Sequence, residues 1–244
     1  MRMTQHLVRK SECCRIRRMK PLKSALSAAL EALQDVEGHR GKVYTSVWTN
    51  EWIGANCLLA AALYSSGDAE AARHHAYELI QRLEKISADL HPAECDVIHG
   101  RARALQAIWF LRQELQDPNF GKSFALATSQ EIVLEGIRMA KENNDRLLLA
   151  WEWRSRTLLG AGHGVVGILH IKIGHSEGEL DVLEERIPWV KLAIRHTIDT
   201  LEDFCHPSGN LRAALTGDEG DTMIEWAHGS TGYCLLLIKA YKVF

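Results

Sequence analysis

The chain has 244 residues, 46% of them hydrophobic and 25% charged, with a formal net charge of −2. That is an ordinary globular composition, long enough for one large domain or two small ones. A charge so near zero gives no electrostatic footprint for nucleic acid or anionic lipid, and no apolar run is long enough to span a membrane.

Residues 1–21 read as a basic flexible leader. They lack the apolar run of a secretory signal, and although Arg-rich they contain Glu12 and little serine, unlike a transit peptide. Cys13 and Cys14 sit beside basic residues, a pattern that acylated cysteines share with many unmodified ones. Cys57, Cys95, Cys205 and Cys234 complete the six cysteines, and none form a C-x-x-C pair. A reducing, cytoplasmic setting is expected, with Cys57 and Cys234 as small apolar core residues.

From residue 22 onward the apolar pattern alternates. Leu22, Leu26, Leu30 and Leu33 form one helical stripe, and the IGANCLLAAALY run after Trp52 is apolar on every face. Residues 68–85 are one-faced again, and Val97 to Leu111 is apolar all round. The cycle recurs with Ile132, Val133, Ile137 and Ala140 before VVGILHIKI, and with residues 181–204 before GYCLLLIKAYKVF. A helix apolar on all faces is expected to be buried on all faces, whereas a one-faced helix lies at the surface. Four such pairs predict an all-α domain over residues 22–244, with two concentric layers of helices.

The inner segments open alike, on His99-Gly100, His163-Gly164 and His228-Gly229, with the glycines 64 and 65 residues apart. A recurrence on this scale marks a repeated supersecondary unit. Trp52-Ile53-Gly54 opens the remaining one less faithfully. The repeat bears on GHGVVG, residues 162–167, which matches the G-x-G-x-x-G pattern of dinucleotide sites. That fingerprint requires a preceding strand inside a βαβ unit. No strand–helix alternation surrounds it here, so the glycines are expected to serve helix approach and not a nucleotide.

The motifs WEW, GAGHGVVGI, PSGN, GD, WAHG and IKAYKVF together resemble the LanC-like proteins, eukaryotic relatives of lanthionine cyclases. The resemblance runs from about Ser46 to the end. It implies an α/α toroid of seven helical hairpins, of which this chain supplies about four, an incomplete ring. It also implies a central zinc, held by two cysteines and a histidine, that activates a thiol for addition to a dehydrated Ser or Thr. In LanC-like proteins the thiol is that of glutathione, and the other partner is a peptide or protein.

On the same resemblance, Ala227 stands where the first cysteine ligand belongs, and alanine cannot bind a metal. The C-H-G motif with the other two ligands does not occur before Phe244, Gly220 replaces a basic residue, and NEWIGA lacks an acidic residue of the pattern. No metal ligand and no cofactor are therefore expected in this chain, and its activity is expected to be lost. His163 keeps the place of a residue assisting proton transfer.

Each candidate has a bland alternative. His163 serves as a general acid or base, or as a helix-start histidine satisfied by backbone groups. His228 binds a metal weakly with His163 or is structural. Trp151, Glu152 and Trp153 line a cavity or form an aromatic plug. Asp218, Glu219, Asp221 and Glu225 face a basic peptide or form a solvated loop. Cys205-His206 lacks the glycine of C-H-G.

A non-catalytic helical module holding a peptide or protein partner is the competing reading. A glycosidase would need paired cavity carboxylates, for which only Glu51 and Glu225 offer themselves. An open arc of helices would expose apolar ends, so self-association is expected.

Overall fold

The computed structural model describes residues 51–143, 146–174, 178–217 and 220–244. The leader and the stripe at residues 22–33 lie outside the described residues. The described elements are α1 (Glu51–Ser66), α2 (Ala69–Asp89), α3 (Arg101–Glu114), α4 (Lys122–Glu142), β1 (Glu152–Trp153), β2 (Arg156–Thr157), α5 (Val165–Lys172), α6 (Glu179–Arg186), α7 (Val190–Thr200), a 3₁₀ turn (Leu201–Phe204) and α8 (Ser230–Val243). The fold is all-α apart from one short hairpin. No described helix is long and apolar enough to cross a membrane.

The described residues fall into two compact units, one of residues 51–82 and 110–120, the other of residues 83–109 and 121–244. In the first, α1 ends at Gly67, whose φ of 98° suits only glycine, and Asp68 caps α2 by accepting from the Ala71 N–H at 3.1 Å. Ala72, Ala76 and Leu79 form the buried stripe of α2. Arg112 donates from Nε to the Phe120 carbonyl at 2.8 Å, and Tyr77 meets the Phe120 ring edge-on at 5.6 Å.

In the second unit, the buried Arg101 holds the end of α2. Its guanidinium donates to the carbonyls of Ser87, Leu90 and His91 and pairs with Glu131 of α4 at 3.0 Å. A buried cation with this many acceptors is itself satisfied, and it supplies a donor to carbonyls at the end of the helix. Trp151 is fully buried and donates from Nε1 to the Ile132 carbonyl at 2.9 Å, its indole lying where a side chain on Gly136 would stand. Of the two roles offered for this tryptophan, the structure gives it the plug.

The glycine-rich stretch follows from close chain packing. Residues 158–161 fold across the start of α5, where the Leu158 and Leu159 carbonyls accept from Val165 and Val166 at 3.0 Å each. A Cβ on Gly164 would meet the Leu158 carbonyl, and one on Gly167 the Ala161 carbonyl. The element before these glycines is an antiparallel hairpin, with Glu152 opposite Thr157, and not a βαβ unit. Helices α5 and α8 then pack side by side.

Three expectations need correction. Residues 181–204 do not form one helix. Pro188 has no N–H to extend α6, and the chain restarts at Trp189, whose φ is 72°, with Glu184 accepting from the Trp189 and Lys191 N–H groups at 3.0 and 2.8 Å. Helix α8 is apolar all round yet buries only the face of Gly232, Tyr233, Leu236 and Ala240, leaving Leu235, Leu237, Ile238 and Tyr241 exposed. Cys234 shares that outward side and is exposed, not core.

Candidate functional site

The site lies where α3, α5 and α8 begin, within the second unit. Asp96 is 5% exposed and uses one oxygen, Oδ1, to accept from the Ile98 and His99 N–H groups at 2.8 Å each. This caps the turn leading into α3. The same oxygen lies 3.1 Å from Nδ1 of His163, which begins the turn into α5. An atom already accepting two N–H bonds is an acceptor for the third, so Nδ1 of His163 carries the hydrogen. Nε2 is left with its lone pair.

The ring of His163 is held from other sides as well. The Trp153 ring stacks on it at 4.0 Å and 21°, and the His99 ring at 5.4 Å and 22°. Burial depresses the His163 pKa first. The Asp96 carboxylate opposes that shift, and His99 and His228 reinforce it. His163 is therefore neutral at pH 7, a base with one free nitrogen.

His228 precedes α8 and pairs through Nδ1 with Glu225 Oε1 at 2.7 Å. Asn210 of the PSGN motif completes this end. Its side-chain oxygen accepts from the Ser230 N–H at 2.8 Å, while its amide donates to Asp221 and to the Met223 carbonyl. Gly229, at φ 99°, passes so close to the Met223 carbonyl and the Asn210 side chain that a Cβ would collide with both. Ala227 lies against the glycine stretch, its carbonyl accepting from the Gly162 N–H at 3.2 Å. Its methyl stands where a Cβ on Gly162 would come within 3.1 Å.

Of the residues singled out from the sequence, His163 and His228 are brought together. Glu225 joins them through His228, and Trp153 through its stack on His163. Asp221 serves Asn210 instead. Asp218, Glu219 and the side chain of Glu51 lie outside the described residues. Cys205 is half-buried, its thiol pushed up by burial. Asp96 was not singled out, although the signal existed: an aspartate three residues before the first His-Gly is a helix-capping position.

The donors present do not fit the zinc that the resemblance implies. Ala227 offers only a methyl group. Cys95, next to Asp96, donates to the Pro92 carbonyl at 3.3 Å, and burial pushes its thiol up to about 12. Among the described residues, no group of three or more His, Cys, Asp or Glu side chains could hold a metal ion. The arrangement can take up and return a proton at Nε2 of His163, and that chemistry needs no metal.

The lanthionine synthetase C-like protein profile matches residues 19–244, and the chain belongs to that family. It is similar to a zebrafish (Danio rerio) protein named glutathione S-transferase LANCL1, 27% identical over 153 residues, 61% of this chain and 36% of the relative. It is also similar to LanC-like protein GCL1 of Arabidopsis thaliana, 26% identical over 149 residues, 61% of this chain and 32% of the relative. The matched part spans about a third of the length of these curated relatives.

Proposed function

We propose that this chain is a LanC-like protein related to those that add glutathione to dehydroamino acids, one that keeps the proton-transfer residues but not zinc-assisted thiol activation. The carrying observation is the contrast within one site. The Asp96–His163 pair is built and oriented, while a methyl group stands directly after Trp226.

In such an addition, Nε2 of His163 takes the thiol proton. The sulfur then bonds to the β-carbon of the dehydroamino acid as the double-bond pair moves toward the carbonyl. The imidazolium returns its proton to the α-carbon. Asp96 holds the ring and stabilises the transient charge. With no cation to stabilise the thiolate, the imidazole faces a thiol about two pKa units above its own ordinary value, and turnover is expected at background.

The test pairs zinc analysis of the purified chain with an assay of glutathione addition to a dehydroalanine peptide. Less than stoichiometric zinc and background addition support this reading. One zinc per chain with His163-dependent addition overturns it.

A binding module for a peptide or protein remains the alternative, favoured by the exposed Met223, Ile224 and Trp226 beside His228. Retained binding of the same peptide, lost in Trp226→Ala, distinguishes it. A cytoplasmic setting belongs to the same reading, and the thiols of Cys95, Cys205 and Cys234 accord with it.

A further inference from the structure

We propose that Trp153 is a positioning residue for His163, clamping the imidazole so that Nδ1 stays on Asp96 and only Nε2 meets a reactant. The inference rests on the reading of His163 as the proton-transfer group. A hydrogen bond at Nδ1 holds the ring in one direction only. Rotation about the Cβ–Cγ bond would break it and exchange the two nitrogens. The indole, nearly parallel to the imidazole at 4.0 Å, occupies the space that such a rotation sweeps.

The indole is itself held by an unusual tether. Arg154 and Ser155 form the two-residue turn of the hairpin with φ of 50° and 59°, both left-handed, as a type I′ turn requires. Neither is a glycine or asparagine, so the turn is strained, and strain of this kind persists where the surroundings over-determine it. They do so here. Asn143 donates to the Glu152 carboxylate at 2.6 Å, the Glu152 N–H meets Met139 Sδ at 3.3 Å, and the Thr157 carbonyl accepts from Leu215 at 2.9 Å. The Arg154 guanidinium also lies over the Trp153 ring at 4.4 Å, a cation–π contact that resists outward swing of the indole. Trp153 is only half-buried, so this tethering secures a side chain at the edge of the core and not one already fixed by it.

The experiment is histidine side-chain ¹⁵N NMR of the full chain, with His163 assigned by His163→Gln. The native chain is expected to show His163 in a single tautomer, hydrogen on Nδ1, titrating below the ordinary histidine midpoint. Trp153→Ala is expected to mix the tautomers and raise that midpoint, whereas Trp153→Phe restores the native pattern. Arg154→Asn, which suits the left-handed turn, is expected to shift the midpoint the same way by less, and it carries the test if Trp153→Ala does not fold. An unchanged tautomer and midpoint in the folded variants would overturn the proposal. The readout needs no turnover, so it stands apart from the addition assay: a shifted tautomer in a chain that holds one zinc and adds glutathione keeps the clamp and overturns the zinc-free reading.

Discussion

At the scale of single residues, one oxygen carries much of the site. Asp96 Oδ1 caps the approach to α3 and orients His163 in the same act. Asp96→Asn can keep the two backbone bonds, because its amide oxygen also accepts, but it gives up the charge. Since the carboxylate opposes the burial that depresses His163, its removal is expected to lower the His163 midpoint further. An NMR titration reads that shift directly. A stability loss of about 1–2 kcal/mol should accompany it, the range for weakening a buried charge-assisted hydrogen bond. A raised midpoint would mean that Asp96 is not His163's electrostatic partner.

Trp151 and Trp153 show how two tryptophans in one short motif take different work. The first is a plug: its N–H satisfies the Ile132 carbonyl and its ring fills the hollow left by Gly136. Trp151→Phe leaves that carbonyl short of a donor and a small void beside it, and is expected to cost about 2–3 kcal/mol in denaturant unfolding. The second stacks on His163. The sequence motif WEW names both without separating them, because burial and stacking are tertiary properties.

At the scale of elements, the glycine-rich stretch is where the sequence pattern and the structure agree most closely. The repeat of His-Gly at inner-helix starts predicted close approach of the chain. The carbonyls of Leu158 and Ala161 do lie where side chains on Gly164 and Gly167 would be. Gly167→Ala forces a methyl into backbone that cannot rotate away, as a flexible side chain could. The expected loss is about 3 kcal/mol or more, at the upper end of overpacking effects. Gly178→Ala is a useful contrast, since nothing lies within 4 Å of that position and only its φ of 88° resists the change. Equal melting points for Gly167→Ala and the native chain would show that α5 is free to shift.

What the sequence did not yield at this scale has identifiable causes. Period and composition locate α5 and α8, but an apolar period says only which faces can be buried. It does not say whether a neighbour is present, and α8 leaves Leu235 and Ile238 exposed. The break between α6 and α7 was signalled by Pro188, yet the surrounding charges keep helical spacing through it. The hairpin at residues 152–157 was invisible because its turn is Arg-Ser, not the Asn-Gly that type I′ turns favour. Asp96 was missed because its partner is 67 residues away.

At the scale of the whole molecule, the shifted ionisable groups combine into one expected pH dependence of stability. His163, His170 and Lys172 all have depressed pKa values. Burial is the first cause in each; it takes His170 to about 4, with Lys239 adding repulsion, and Lys172 to about 7 against the attraction of Glu179. Between its folded and unfolded values, such a group binds more protons in the unfolded chain, so stability rises with pH. The histidines act as pH climbs toward 6.5, and Lys172 from about 7 to 10.5. Cys95 and Tyr233 act oppositely. Burial raises both to about 12, so the folded chain keeps protons that the unfolded chain releases above pH 9 and 10. Stability is therefore expected to climb from pH 5, peak near pH 9 and then fall, as denaturant midpoints at fixed ionic strength would show. Lys172→Met should remove the climb between pH 7 and 9, which for one fully buried amine is at most about 1.4 kcal/mol per pH unit. His170→Gln should flatten the acid side by less, since the imidazole is half-exposed and solvent screens it. A native profile that is flat from pH 7 to 9, or identical in Lys172→Met, would place the amine in water and α5 in different surroundings.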